Sequence, residues 1–386
     1  MSFRPGTPKR HHEIEDSLVT GLKILDLSRI LAGPWCTQLF GDLGAEVIKI
    51  ESPEGDGTRQ WGPPFFDGKS AYYLSTNRNK KSRVLDFKTP GDLATLRGLV
   101  RSADVLIENF RAGTLAKFGL DGEAALELNP QLIYCSIHGF EQSSDWGTKP
   151  GFDALIQAMS GLMSITGTAN GEPVKVGVAI SDILAGLYAS NGILAALLER
   201  QRSGQGQLIE IPLFDTQVSC LANVVSNFLT SREVPKALGS AHPNIVPYQC
   251  FSTLTQPVMV AVGTDKQFAS LCQVMAADWH EQDDYRTNPR RVENRHRLVP
   301  LIQELMLTRA RDDWLEIFAA GDFPYGPVND LGDLFDHPYA KESGLFVTLD
   351  DGLTPGVRNP IRFSRTPLDR YESPPELDEH PDAKFD

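Results

Sequence analysis

Short apolar runs alternate with stretches of helical period along the first half of the chain. LKILDLS (22–28) predicts a strand, GPWCTQLFGDLG (33–44) a helix closed by Gly44, and AEVIKIE (45–51) a second strand. The rhythm continues through KSRVLDFKT (81–89), LATLRGLVRS (93–102), DVLIENF (104–110) and LIYCSIHGF (132–140), and FDALIQAMSGLMSIT (152–166) predicts a further helix. KVGVAISDILAGLYASNGILAALLERQRSGQGQ (175–207) then sets a long apolar helix ahead of a glycine-containing turn, and a strand and helix follow through 229. Strands alternating with helices imply an α/β domain built on a parallel sheet covered on both faces.

The pattern changes after residue 229. Residues 230–265 are rich in Pro, Ser and Gly, with short strands near PYQCFST and PVMVAVGT, and helical stretches follow at 266–275, 297–309 and 312–321. The expected organisation is a disordered arm at 1–17, a large domain at 18–229, a smaller α+β domain with linkers at 230–327, and a proline-punctuated return to the large domain at 328–386. That return ends in PELDEHPDAKFD, which reads as a loosely held acidic tail. At 386 residues the chain exceeds the roughly 250–300 residues at which one core stops growing, in keeping with two domains.

Composition narrows the function. A net charge of −13 argues against a general nucleic-acid or acidic-membrane binder, although NRNKKSR (77–83) is locally basic and reads as a solvated turn or an anion patch. No run of about 18 apolar residues predicts a membrane span. The first sixteen residues lack the apolar core of a signal peptide, and their prolines and acids make a poor transit helix. Five scattered cysteines without a CxxC pair suit neither a zinc site nor a disulfide framework, and point to a reducing compartment. No ligand cluster suggests a metal.

Two motifs compete for the chemistry. A dinucleotide site would need G-x-G-x-x-G after the first strand, but SRILAGP supplies only Gly33, with Ile30 and Leu31 where glycines should stand. Asp182 is the other. It lies between an apolar strand-like run and the long helix, where either it or Ser181 can cap the helix. The same position would keep a carboxylate ionised through the positive helix end, leaving a nucleophile toward an activated acyl group.

Several segments, in order, are similar to the class III coenzyme A transferases. They are GLKILDLSRILAGPWCTQLFGDLGAEVIKIESPEGDGTRQWGPPF, YYLSTNRNKKSRVLDFKTP, DVLIENFRAGTLAKFGL, LNPQLIYCSIHGF, GFDALIQAMSGLMSITG, GEPVKVGVAISDILAGLYA, RSGQGQLIEIPLFD, AHPNIVPYQCF and PYGPVND, together spanning roughly 20–365. WGPPF, STNRNKKS, IVPYQ and PYGPVND resemble most the succinyl-CoA:glutarate branch. The resemblance implies a Rossmann-like large domain, a smaller domain and an interlocked homodimer, with Asp182 as catalytic nucleophile. It implies CoA contacts at Leu31, Ala32, Leu85, Lys88, Asn109, Phe110, Lys117 and His138. Ser52 and His138 replace an arginine and a lysine of the family, and Arg78, Lys80 and Lys81 are candidates to compensate. Backbone amides at the helix start and around Gly239 are candidate oxyanion donors.

The activity so implied moves CoA from succinyl-CoA, or a similar dicarboxylyl-CoA, to a free dicarboxylic acid such as glutarate or itaconate, through aspartyl-linked intermediates. The CoA thioester is a substrate; no permanently bound cofactor, metal, nucleic acid or membrane partner is expected. The location implied is cytoplasm or mitochondrial matrix. A carnitine-type CoA-transferase and an acyl-CoA binding protein are the alternatives. An α-methylacyl-CoA racemase is a third, but it would need a histidine where GFD places Phe152.

Overall fold

The protein is described here by a computed structural model over residues 17–385, so the arm expected at 1–17 lies, apart from Ser17, outside the described residues. The chain forms two compact units. One comprises the residues up to Ser160, Gly177–Cys220 and those from Lys341 onward; the other comprises Gly161–Val176 and Leu221–Ala340.

In the first unit six strands form one sheet: β1 (Lys23–Asp26), β2 (Glu46–Glu51), β3 (Lys81–Val84), β4 (Val105–Glu108), β5 (Ile133–His138) and β6 (Gln207–Pro212). Their order is β3-β2-β1-β4-β5-β6 and every neighbouring pair is parallel, the Rossmann-like arrangement. Alternation between two covered faces explains why the central runs are largely apolar. Ile24, Val47, Val105, Ile133 and Cys135 face one helical layer, while Leu25, Ile48, Leu106 and Tyr134 face the other. The first layer contains α1 (Ala32–Asp42) and, later in the chain, the long helix; the second contains α3 (Pro90–Ser102) and α4 (Gly122–Leu128), with the short α2 (Ala71–Leu74) lying between β2 and β3.

The predicted helix at 152–166 breaks. α5 (Asp153–Met159) ends at Ser160, and Gly161 takes φ +91°, a left-handed conformation that only glycine adopts without strain. There the chain passes to the second unit, which therefore takes 161–176 as well as 221–340, and the return begins at Lys341 rather than 328. Long helix α6 (Ile180–Ser203) closes at Gly204, φ +73°, as the glycines of RSGQGQ suggested, and α7 (Leu213–Ser219) follows β6. By length and composition α6 could cross a membrane, a property that counting uninterrupted apolar runs passes over. One stripe of it (Ala185, Ala189, Ile193, Ala196) is buried in the sheet's first layer.

The second unit has a three-stranded antiparallel sheet of β7 (Tyr248–Phe251), β8 (Val258–Ala261) and β9 (Tyr325–Pro327), with β8 central. Helices α8 (Asp265–Val274), α9 (Arg295–Met306) and α10 (Arg311–Phe318) supply Phe268, Leu298 and Trp314 to its core.

Two expectations are corrected. The acidic C-terminal segment is not loosely held: it lies along the outer edge of β3, where Val84 N–H donates to Asp378 Oδ1 (2.8 Å) and His380 N–H to Ser82 O (2.9 Å). Phe385 is buried in the second layer. An edge strand needs partners for its backbone, and the tail provides them. The basic stretch 77–83 is not a solvated patch either. Arg78 forms a two-pronged ion pair with buried Asp42 (2.6 and 2.8 Å), Lys80 sits on buried Asp26 (3.1 Å), and Lys81 pairs with Glu46 (2.6 Å). Those acids come from α1 and strands β1 and β2, so the cations are engaged in fastening the fold.

Candidate active site

The turn after β1 is built on buried charge. Asp26 accepts from Ser28 N–H (2.9 Å) and Thr37 Oγ1 (2.6 Å) and pairs with Lys80, while Lys49 pairs with Asp56 (3.0 Å) and donates to Ser28 O (2.8 Å). Burial works against the charge on Asp26, but Lys80, Lys49 and the two hydroxyls outweigh it and hold the carboxyl below its ordinary value. Asp56 is held down to about 2: burial opposes its charge, and Lys49 with the Thr58 hydrogen bonds overcomes it. Asp56 also accepts from Ile30 N–H (3.2 Å), which fixes the approach to Leu31 and Ala32 at the start of α1.

This turn meets the first turns of α6. Gly186 lies where a Cβ would come within 2.6 Å of Ala32 O, so only glycine lets the two backbones approach this closely. Asp182, one turn earlier on α6, is thereby set relative to Leu31 and Ala32. Gly186→Val is expected to push α6 off α1, costing about 1–3 kcal/mol. A lowered Tm together with a fall in kcat checks it.

The N-cap is where the geometry departs from the sequence reading. Neither Ser181 nor Asp182 caps α6; the cap position is Ala179, with no side-chain bond of its own. Asp153, at the start of α5, does the work from outside: its Oδ1 accepts from Ser181 N–H (2.9 Å) and its Oδ2 from Gln157 Nε2 (2.8 Å). Ser181 Oγ turns away to donate to Gln217 (2.9 Å). Ile180 N–H donates to Val178 O (2.9 Å), so among the described residues the amide of Asp182 itself is the one left open at this helix start. Gly239, the other candidate oxyanion donor, gives its N–H to Gly167 O (2.8 Å) within the second unit.

Relieved of capping, the Asp182 carboxylate makes no hydrogen bond or ion pair to a described residue. Its pKa is pushed up to about 7, first by burial and then by the neighbouring Asp153 carboxylate. The expectation that the helix end would keep it firmly ionised is therefore corrected. Burial and a like charge dominate the partial charge of a helix terminus whose Ser181 amide is already occupied. Tyr72 of α2 closes the group: its hydroxyl is pushed up to about 12 by burial, then Asp182, then Asp153 and Asp56, so it stays a proton donor beside the two acids. Trp61 packs edge-on against its ring at 5.2 Å. Tyr72 and Asp153 escape a sequence reading because tertiary packing alone brings them to Asp182; the sole signal in the sequence is Asp153's place in the GFD segment.

Leu31 and Ala32 follow β1, Leu85 and Lys88 follow the edge strand β3, and Asn109 and Phe110 follow β4; β1 and β4 flank the crevice where the strand order reverses. Asn109 bridges it: its Oδ1 accepts from Arg29 N–H (2.8 Å) and its Nδ2 donates to Arg29 O (2.7 Å). Phe87 stacks edge-on against Phe110 (6.5 Å) and Phe118 (5.7 Å), drawing the segments bearing Leu85, Lys88, Asn109, Phe110 and Lys117 together. Leu31, Ala32 and Leu85 are buried, whereas Lys88 and Lys117 are exposed cations. Arg29, not foreseen, is also exposed, with its guanidinium 5.0 Å from the Phe110 ring. His138, at the end of β5, lies in a buried polar cluster with Ser136 and Glu108. Among the described residues no group of three or more His, Cys, Asp or Glu side chains is arranged to hold a metal.

The sequence pattern that defines CoA-transferase family III matches residues 19–381, almost the whole chain. The chain belongs to CoA-transferase family III. This transferase is 46% identical over 374 residues to the succinate–glutarate CoA-transferase of Agrobacterium fabrum, spanning 94% of the chain and 93% of that relative. It is 40% identical over 365 residues to the human succinyl-CoA:glutarate CoA-transferase, spanning 93% of the chain and 83% of the relative. Its fold superimposes on the crystal structure of a CaiB/BaiF family protein from Brucella suis with a TM-score of 0.84 and 44% identity, covering 94% and 96% of the two chains.

Proposed function

We propose that this CoA-transferase moves CoA from succinyl-CoA to a free dicarboxylic acid of glutarate's class, with Asp182 as the nucleophile. One observation carries the assignment of Asp182: a largely buried carboxylate at a helix start whose capping duty has passed to Asp153, leaving both its oxygens uncommitted. In its ionised form Asp182 attacks the thioester carbonyl, the C–S bond breaks, and CoA leaves as thiolate, giving an aspartyl–acyl mixed anhydride. The thiolate then attacks the aspartyl carbonyl, releasing the first acid and forming an aspartyl-CoA thioester. The acceptor carboxylate attacks that in turn, and the returning thiolate collects the new acyl group. Each step exchanges one acyl bond for another, so activation is conserved while water is kept out. On this reading the open Asp182 amide and the Tyr72 hydroxyl are the donors that steady an oxyanion.

The CoA nucleotide is read into the crevice of Leu31, Ala32, Leu85, Asn109 and Phe110, with Lys88, Lys117 and Arg29 toward its phosphates. The choice of donor and acceptor rests on the two glutarate-using relatives at 46% and 40% identity. The protein is read as a homodimer acting in a compartment that holds acyl-CoA. Leu187, Leu194 and Leu198 form an exposed apolar stripe on α6 at helical spacing, suited to a second copy, and a sedimentation mass of one chain would remove that reading. Racemisation is disfavoured because Phe152, 67% exposed, offers no second base.

The test is a panel of free acids incubated with succinyl-CoA, with new thioesters scored by mass. Glutaryl-CoA and its close analogues should form, together with a hydroxylamine-sensitive protein adduct. Epimerised branched thioesters without exchange would overturn the reading.

A further inference from the structure

One buried group of titratable side chains has no part in the chemistry at Asp182. Glu108, Ser136 and His138 stand at the carboxyl ends of β4 and β5, 4%, 6% and 8% exposed, on the sheet face opposite α6. They line a cavity of about 560 Å³ whose wall includes Arg111–Ala116, the segment that follows Asn109 and Phe110. Ser136 Oγ bonds both Glu108 Oε1 and His138 Nε2, the His138 ring lies 3.5 Å from Glu108, and Gln142 Nε2 donates to Ser136 Oγ (3.1 Å). A serine hydroxyl has one proton. Given to Glu108, it leaves Ser136 Oγ to accept from Gln142 Nε2, which also contacts His138 Nε2, so the carboxylate is held from behind by a cluster of three side chains.

The other carboxylate oxygen, Glu108 Oε2, accepts from Phe110 N–H at 2.7 Å. Glu108 therefore folds the backbone just beyond its own strand, and the residue between the two, Asn109, is the one that clasps Arg29 across the strand-order reversal. A charge-assisted bond to a main-chain amide, made by a carboxylate that is itself braced from behind, leaves the turn little freedom.

We propose that Glu108 is a positioning residue for the CoA substrate: braced by Ser136 and His138, it fixes the Asn109–Phe110 turn in the shape that receives the nucleotide. His138 on this account acts through Glu108 and touches no ligand. The proposal rests on the reading of Asn109 and Phe110 as CoA contacts, and the experiment separates the two. Free CoA is titrated by calorimetry into the wild type, Glu108→Gln, Ser136→Ala and Asn109→Ala, and KM is measured for succinyl-CoA and for the free acid. Glutamine can satisfy only one of the two donors, so its Kd for CoA and KM for succinyl-CoA should rise about tenfold, with the acid KM and kcat within about twofold. Ser136→Ala should move the same two constants about threefold. A lowered Tm with no such split is what a merely structural role would show, and it overturns the proposal. If Asn109→Ala weakens CoA binding and Glu108→Gln does not, the positioning role fails and the CoA assignment stands. If Asn109→Ala binds CoA like the wild type, the assignment fails and the proposal falls with it. Should Glu108→Gln not fold, an unchanged Kd in Ser136→Ala, which loses only a hydroxyl, overturns the proposal.

Discussion

Asp182→Asn is expected to lower kcat on the order of 10⁴-fold or more and to make the protein more stable at pH 8. The first effect follows from removing the atom that forms the covalent bond; amide nitrogen and oxygen cannot replace a carboxylate as nucleophile. The second follows from linkage. The Asp182 pKa is raised from 3.8 to about 7 in the folded protein, so between these values the folded state holds a proton that the unfolded state has lost. Stability therefore falls as pH rises through this window and levels off above 7. Asparagine carries no charge to desolvate and none to oppose Asp153, so this part of the pH dependence disappears. The Tm of the variant should exceed that of the wild type by a margin that grows from pH 5 to pH 8. Turnover, adduct trapping with hydroxylamine and a pH series of Tm check both halves. A variant that still exchanges CoA at the wild-type rate would end the nucleophile assignment, and a margin that shrinks with pH would refute the burial argument.

Asp153→Asn should move the acid limb of kcat/KM to lower pH. Only the ionised form of Asp182 attacks, so wild-type activity should rise with pH around a midpoint near 7. Burial, the larger cause of the raised value, is untouched by the substitution, but the like charge disappears. The midpoint should fall by about one unit, making the variant several-fold faster than the wild type below pH 6. Asparagine keeps an oxygen for Ser181 N–H, so the helix start survives. Asp153→Ala loses that acceptor as well and should cost about 1 kcal/mol of stability, with a similar shift of the limb. Matched pH–rate profiles and Tm values of the two variants separate charge from capping; an unmoved limb in both would show that Asp153 does not govern the nucleophile.

Much of this protein is legible in its sequence because its sheet is parallel and buried on both faces. Largely apolar runs such as VLIE and IYCSIH have no reason to alternate, and the helices between them carry the period of a covered layer. Asp182 stands out as an isolated acid before a greasy helix. What sequence could not show is which acid meets which base. The cations of 77–83 look solvated until their partners arrive from 35 to 54 residues earlier, on other elements. Asp153 and Tyr72 are ordinary in sequence and acquire meaning only through packing against Asp182. The C-terminal segment has the composition of a free tail, yet a bare strand edge beside it is reason enough for order.

That last arrangement bears on how the molecule is made. The first unit is assembled from three separate stretches, and its final stretch brings Asn359 to Asp42 (3.0 Å), Asp378 to Val84 and Phe385 to the second layer. During synthesis these residues emerge only after the whole of 221–340 has left the ribosome. Until then the outer edge of β3 lacks these partners, so it stays open to wrong pairing longer than the strands beside it.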